Sequence, residues 1–175
     1  MSIETVAAAV RDIPDFPKPG IVFKDITPIL RDPVLFRESA ELLAAGWERE
    51  SPDAVGAVDA RGFIYGATTA NLLGVGFIPL RKQGKLPWRT VSAEYDLEYG
   101  SAVLEMHEDA VKSGDRILIV DDLLATGGTA AAAVDLIVHR GGTVIGIAFL
   151  MELCFLNGRE RLNGYRVESL IKVND

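Results

Sequence analysis

The sequence predicts an α/β protein built on an open, mostly parallel sheet flanked by helices, and three observations carry that expectation. Residues 117–120, Ile-Leu-Ile-Val, are a short unbroken aliphatic run of the kind buried on both faces of a parallel sheet. Asp121 and Asp122 follow at once, then Thr126-Gly127-Gly128-Thr129, then an alanine run at 130–133 that continues in Val134, Leu136, Ile137 and Val138. That spacing favours a helix, so the stretch reads strand, glycine loop, helix. The alternation recurs upstream, where 54–58 reads as a strand, 59–73 as a turn opening into a helix and 76–80 as another strand. Such units close by right-handed crossovers into a parallel sheet.

With 175 residues the chain is expected to be a single domain that buries roughly 70% of its unfolded surface. Its 18 Lys and Arg against 25 Asp and Glu give a net charge of -7, which argues against a general nucleic-acid binder. Cys154 is alone and cannot close an intrachain disulfide, and Met1-Ser2-Ile3-Glu4 lacks the basic and apolar regions of a signal peptide. A cytoplasmic protein is expected. The longest apolar stretch, 144–151, falls short of the ~20 residues that span a bilayer, is interrupted by Gly146, and reads as a buried strand.

In chain order, Ile3, Val6, Ala7, Val10 and Ile13 form a helical stripe over 2–13 that Ser2 caps and Pro14 stops. Residues 16–28 carry Pro17, Pro19 and Pro28 among apolar side chains, so they read as an ordered arm without a helix. Asp32-Pro33 is a helix start, with an N-cap acid and proline at the first position. The basic stretch 81–89 breaks the pattern; 95–99 and 102–106 alternate around Gly100-Ser101 and suggest an antiparallel pair. Residues 81–106 are therefore expected to form a mobile hood. After the helix that ends at His139-Arg140-Gly141-Gly142 comes a strand from Thr143, a loop and short helix over 152–162, and a last strand at 165–173.

The glycine loop is where chemistry is expected. A helix start presents unpaired N–H groups and the positive end of the macrodipole to an anion, and glycines let the backbone come close. Thr126 and Thr129 add hydroxyl donors, while Asp121 and Asp122 can accept from sugar hydroxyls or hold a divalent metal. Ligands of open α/β sheets bind at this edge. No lysine follows the glycines and the spacing is not G-x-G-x-x-G, so the common nucleotide loops do not fit. His107, His139 and Cys154 have neither metal-ligand spacing nor a nucleophile's partner and read as structural.

Two acids before Thr-Gly-Gly-Thr, after an aliphatic strand, resemble the phosphoribosyl pyrophosphate (PRPP) motif of type I phosphoribosyltransferases. Residues 16–28, 59–63, 81–87, 97–100, 121–129, 152–153 and 158–160 together resemble the adenine-specific branch of that family, in order and over nearly the whole chain. Gln83, where proline is common, and Trp88, where a small or charged residue is, are the departures.

The resemblance implies the type I phosphoribosyltransferase fold and the reaction of adenine with PRPP to AMP and pyrophosphate, with Mg²⁺, in a homodimer that engages neither nucleic acid nor membrane. N9 of the purine displaces pyrophosphate at C1 of the ribose through a transition state of oxocarbenium character. The implied catalytic residues are Glu98, exchanging a proton with N7, Tyr99, closing the hood, and Arg61. Asp121 and Asp122 hold the ribose hydroxyls and metal, directly or through water or PRPP. Ala125, Thr126, Gly127, Gly128 and Thr129 cradle the 5'-phosphate, while Ala60, Arg61, Arg81, Lys82 and Lys85 face the pyrophosphate. Adenine is gripped by the backbone of Val22, by Phe23 or Leu153 on its face, and by Arg61, with residues 1–30 forming an N-terminal helix and the base-binding arm. No lysine stands at 150–153 to meet a 6-oxo group. Closure of the hood excludes water from activated PRPP. The competing readings are transfer to another purine base and a non-catalytic PRPP or purine sensor on the same fold.

Overall fold

A computed structural model of the chain describes residues 3–96 and 101–174. It divides into two compact units, Met1–Leu42 and Leu43–Asp175.

In the first unit, α1 (Ile3–Ala8) is shorter than the helical stripe predicts, because residues 11–13 are drawn into a ladder instead. β1 (Arg11–Ile13) pairs antiparallel with β2 (Phe23–Asp25), setting Arg11 opposite Asp25 and Ile13 opposite Phe23. Each charged residue of β1 finds a partner on β2: Arg11 Nε donates to Asp25 Oδ2 at 3.0 Å, and Lys24 Nζ lies 2.8 Å from Asp12 Oδ1. Helical periodicity alone does not register such cross-strand pairs. The arm also ends in a helix, contrary to expectation: α2 (Thr27–Arg31) carries Pro28 in its first turn, where a missing N–H costs nothing. Asp32 caps α3 (Pro33–Ala45) as its position suggests, its Oδ1 accepting from the N–H groups of Val34 at 2.8 Å and Leu35 at 3.0 Å.

The second unit is organised by β3 (Ala54–Val58), α4 (Arg61–Leu73), β4 (Gly76–Lys82), β5 (Thr90–Asp96), β6 (Ser101–His107), β7 (Arg116–Leu124), α5 (Gly128–His139), β8 (Thr143–Leu153) and β9 (Val167–Val173). The sheet order is β5-β6-β4-β3-β7-β8-β9, parallel from β4 to β9. The alternation along β3 assigns its two faces. A Cβ on Gly56 would meet Ile137 of α5 at 3.8 Å, whereas Ala57 meets the bare Cα of Gly66 on α4. The helices therefore cover opposite faces. Ile117, Leu118, Ile119 and Val120 are all buried, as a strand covered on both faces requires.

Four strands run further than the sequence suggests, each because a neighbour continues the ladder. β4 reaches Arg81 and Lys82, which pair with Glu105 and Leu104 of β6. Through that pairing the β5 and β6 ribbon, which begins at Thr90 instead of residue 95, extends the main sheet at its edge. β7 continues through both aspartates to Leu124. β8 takes in Glu152 and Leu153, expected in a loop, because they pair with Lys172 and Val173 of β9.

Candidate active site

Where β7 ends and α5 begins, the second unit holds a cavity of about 460 Å³. Its wall includes Ala60 and Arg61 from the start of α4, Lys82 from the end of β4, both aspartates of β7, and the whole loop 125–129. These are ten of the twelve positions that the resemblance implies for PRPP, all but Arg81 and Lys85, gathered at the carboxyl edge of parallel strands. Residues read only as parts of strands complete the wall, among them Val58, Tyr95 and Phe149.

The two acids differ in surroundings. Asp122 is buried, with Oδ2 2.6 Å from Arg61 Nε. Asp121 Oδ1 accepts the N–H of Asp122 at 2.9 Å, and a Cβ on Gly62 would land on this same carboxylate oxygen. Burial, and then the charge of Asp122, push the Asp121 carboxyl well above the usual carboxylate range.

The loop leaves β7 at Leu124 and enters α5 through Gly127, whose φ of +81° is a conformation that glycine adopts without strain. Gly127 is also packed. A Cβ there would strike the carbonyl oxygen of Gly158, and one on Gly158 would strike that of Ala125. Close backbone approach is the second demand for glycine, and its partner is far away in the sequence. Arg159, next to Gly158, is pinned in turn: its Nε donates to Glu152 Oε1 at 3.0 Å and its Nη1 to the Val167 carbonyl at 2.7 Å. Ser169 Oγ donates to Glu152 Oε2 at 2.7 Å. These partners, Arg159 foremost, hold the Glu152 carboxyl below its usual range despite burial.

Of the other implied residues of the second unit, Arg81, Lys85 and Leu153 are not part of the cavity wall. Arg81 Nε donates to Asp59 Oδ2 at 3.2 Å and its Nη1 to the Lys85 carbonyl at 3.1 Å, so Arg81 braces the chain after β4. Leu153 is half-buried at the end of β8. Val22, exposed, and Phe23, whose ring meets Phe16 edge-on at 5.3 Å, belong to the first unit. Glu98 and Tyr99 lie outside the described residues; Asp96 and Ser101, which flank 97–100, pair across β5 and β6. Among the described residues no group of three or more His, Cys, Asp or Glu is set to hold a metal. The neighbouring carboxylates of Asp121 and Asp122 do fit Mg²⁺, which is commonly bound by one or two carboxylates together with substrate phosphates. Among the described residues no helix is long and apolar enough to cross a membrane.

A strand carrying two acids near its end, a glycine loop and a helix start line one cavity. The chain belongs to the phosphoribosyltransferase family: the model of the phosphoribosyl transferase domain matches residues 26–169. Relatives along nearly the whole length include adenine phosphoribosyltransferases. That of a Thermoanaerobacter species is 55% identical over 172 residues, 98% of this chain and 99% of the relative. The crystal structure of the Thermoanaerobacter pseudethanolicus enzyme matches with a TM-score of 0.96 at 54% identity, covering 98% of this chain and 100% of that one. The Saccharomyces cerevisiae enzyme, solved with an imino-altritol bisphosphate and adenine, matches with a TM-score of 0.92 at 40% identity over 96% and 97% of the two chains.

Proposed function

We propose that this chain transfers the phosphoribosyl group of PRPP to N9 of adenine, giving AMP and pyrophosphate in purine salvage. The observation that carries the reading is the convergence of Asp121, Asp122, the 125–129 loop and the start of α5 on one cavity. The adenine bound to the yeast relative supports the choice of base.

On this reading the 5'-phosphate sits in the loop, where backbone N–H groups at the start of α5 and the hydroxyls of Thr126 and Thr129 point at its oxygens. Asp121 and Asp122 accept from the ribose hydroxyls, with Asp122 exchanging its contact to Arg61 for the sugar. Ala60, Arg61 and Lys82 face the pyrophosphate, with Arg81 and Lys85 behind them, so that negative charge leaving C1 meets fixed cations. Mg²⁺, held with PRPP by Asp121 and Asp122, would neutralise further phosphate charge. Val22, Phe23, Leu153 and Arg61 hold adenine, and Glu98 exchanges a proton with its N7 while Tyr99 helps to close the site.

The chain works as one functional domain in the cytoplasm and as a homodimer. Ile64 and Leu72 support the dimer: they are exposed, apolar and two turns apart on α4, hence on one face.

The test is the initial rate with PRPP and Mg²⁺ when adenine, hypoxanthine, guanine and xanthine are offered separately, with Glu98→Gln alongside. AMP from adenine alone, much reduced in the variant, is the expected result. Turnover of a 6-oxopurine overturns the base, and turnover of none points to a sensor.

A further inference from the structure

Gly158 and Arg159 are neighbours in one 3-10 turn, Gly158–Leu162, and face two different parts of the site's framework. Gly158 is buried against the backbone of Ala125 and Gly127. Arg159 reaches into β8 and β9, where Glu152 and the Val167 carbonyl receive it. Glu152 is only 5% exposed, and its Oε2 accepts from both Arg159 Nη2 and Ser169 Oγ. Leu162 closes the turn by entering the core of the second unit. The turn is thus a wedge between the sheet and the loop, fixed at the sheet by a fork of charge-assisted hydrogen bonds.

We propose that Arg159, anchored on Glu152 and Val167, is a positioning residue for the phosphate loop, holding Gly158 against residues 125–127 so that the loop's N–H groups stay aimed at the 5'-phosphate. This rests on the reading of 125–129 as the 5'-phosphate cradle. A loop with a glycine of positive φ has no stiffness of its own, and hydrogen bonds to an anion weaken steeply with misalignment. Rigidity must come from what the loop is packed on. Arg159 is not part of the cavity wall; it acts through Gly158.

The test is calorimetric binding of ribose 5-phosphate and, separately, of inorganic pyrophosphate with Mg²⁺, in the full-length protein. The variants are Arg159→Met, Arg159→Lys and, within the loop, Thr129→Val. Arg159→Met is expected to weaken ribose 5-phosphate about tenfold, as a small misplacement of binding groups does, and to leave pyrophosphate unchanged. Lysine keeps a cation on Glu152 but cannot also reach the Val167 carbonyl. Arg159→Lys therefore folds even if the methionine variant does not, and shows a smaller loss in the same direction. Equal weakening of both ligands would reveal general loosening and overturn the proposal. So would unchanged ribose 5-phosphate binding in folded Arg159→Lys while Thr129→Val weakens it. If Thr129→Val also binds as the parent does, the cradle reading falls, and this one with it.

Discussion

Arg61 and Asp122 meet in the wall of the cavity, Nε to Oδ2 at 2.6 Å, joining the first turn of α4 to β7. One residue along each element, the contact is of another kind: Gly62 offers Asp121 only a bare Cα. A charged pair and a missing side chain together set how closely the helix approaches the two acids.

Gly62→Ala separates these effects. Within a helix the substitution should stabilise by about 0.5–1 kcal/mol, but its Cβ would fall on Asp121 Oδ1, so the carboxylate must move. The expected outcome is a folded protein whose kcat/KM for PRPP drops on the order of a hundredfold. Steady-state kinetics beside a thermal melt checks this. A higher melting temperature with unchanged kinetics would show that the close approach is not needed.

Lys82 lines the cavity, whereas Arg81 is engaged with Asp59 and the Lys85 carbonyl. Lys82→Ala should therefore weaken pyrophosphate by roughly tenfold, the worth of one hydrogen bond to a charged group, and spare ribose 5-phosphate. Arg81→Ala should act through the chain after β4, raising KM for PRPP less than it lowers kcat. Ligand titrations and initial rates on both variants distinguish a direct contact from a brace.

Away from the site, Trp47 is fully buried and its indole ring occupies the space a Cβ on Gly146 would need. The Arg166 guanidinium lies 4.1 Å above the same ring. Gly146→Ala forces the ring or β8 to shift and should cost about 1–3 kcal/mol, as overpacking does. Urea unfolding should register the loss while kcat stays near that of the parent; a drop in kcat alone would mean that β8 transmits the strain to the site.

Gly146 also illustrates what was legible in the sequence. As an interruption of an aliphatic run it is visible, but its reason, Trp47, comes from another element. Signals that are local read through correctly: β3 has the expected bounds, Asp32 caps α3, and Asp121 and Asp122 precede the glycine loop as the motif requires. Decisions made by a distant partner did not. Residues 11–13 continue a helical stripe yet pair with β2, and Glu152 and Leu153 sit beyond an aliphatic run yet pair with β9. Gly158 stood within a matching stretch, but nothing in its neighbours announces that it backs Gly127. Tertiary pairing outweighs intrinsic propensity, which spans less than a kcal/mol per residue for ordinary side chains.

The arm offers a pH test with a definite sign. The Thr27 N–H, at 2.9 Å from Oδ1, and the Arg11 guanidinium, with Nε at 3.0 Å from Oδ2, hold the Asp25 carboxyl at about 2, below its ordinary 3.8. Folding therefore favours the charged form. The stability this group contributes is complete above the unfolded value and is lost as pH falls through about 2. Asp25→Asn should be less stable than the parent at neutral pH, and the difference should stay constant down to about pH 5 and shrink below about pH 4, where an unfolded aspartate takes up its proton. Denaturant unfolding of both proteins from neutral pH downward measures the gap directly. A gap that did not close in acid would assign the role of Asp25 to hydrogen-bond shape, since an uncharged carboxyl would then serve β1, β2 and α2 as well as the carboxylate does.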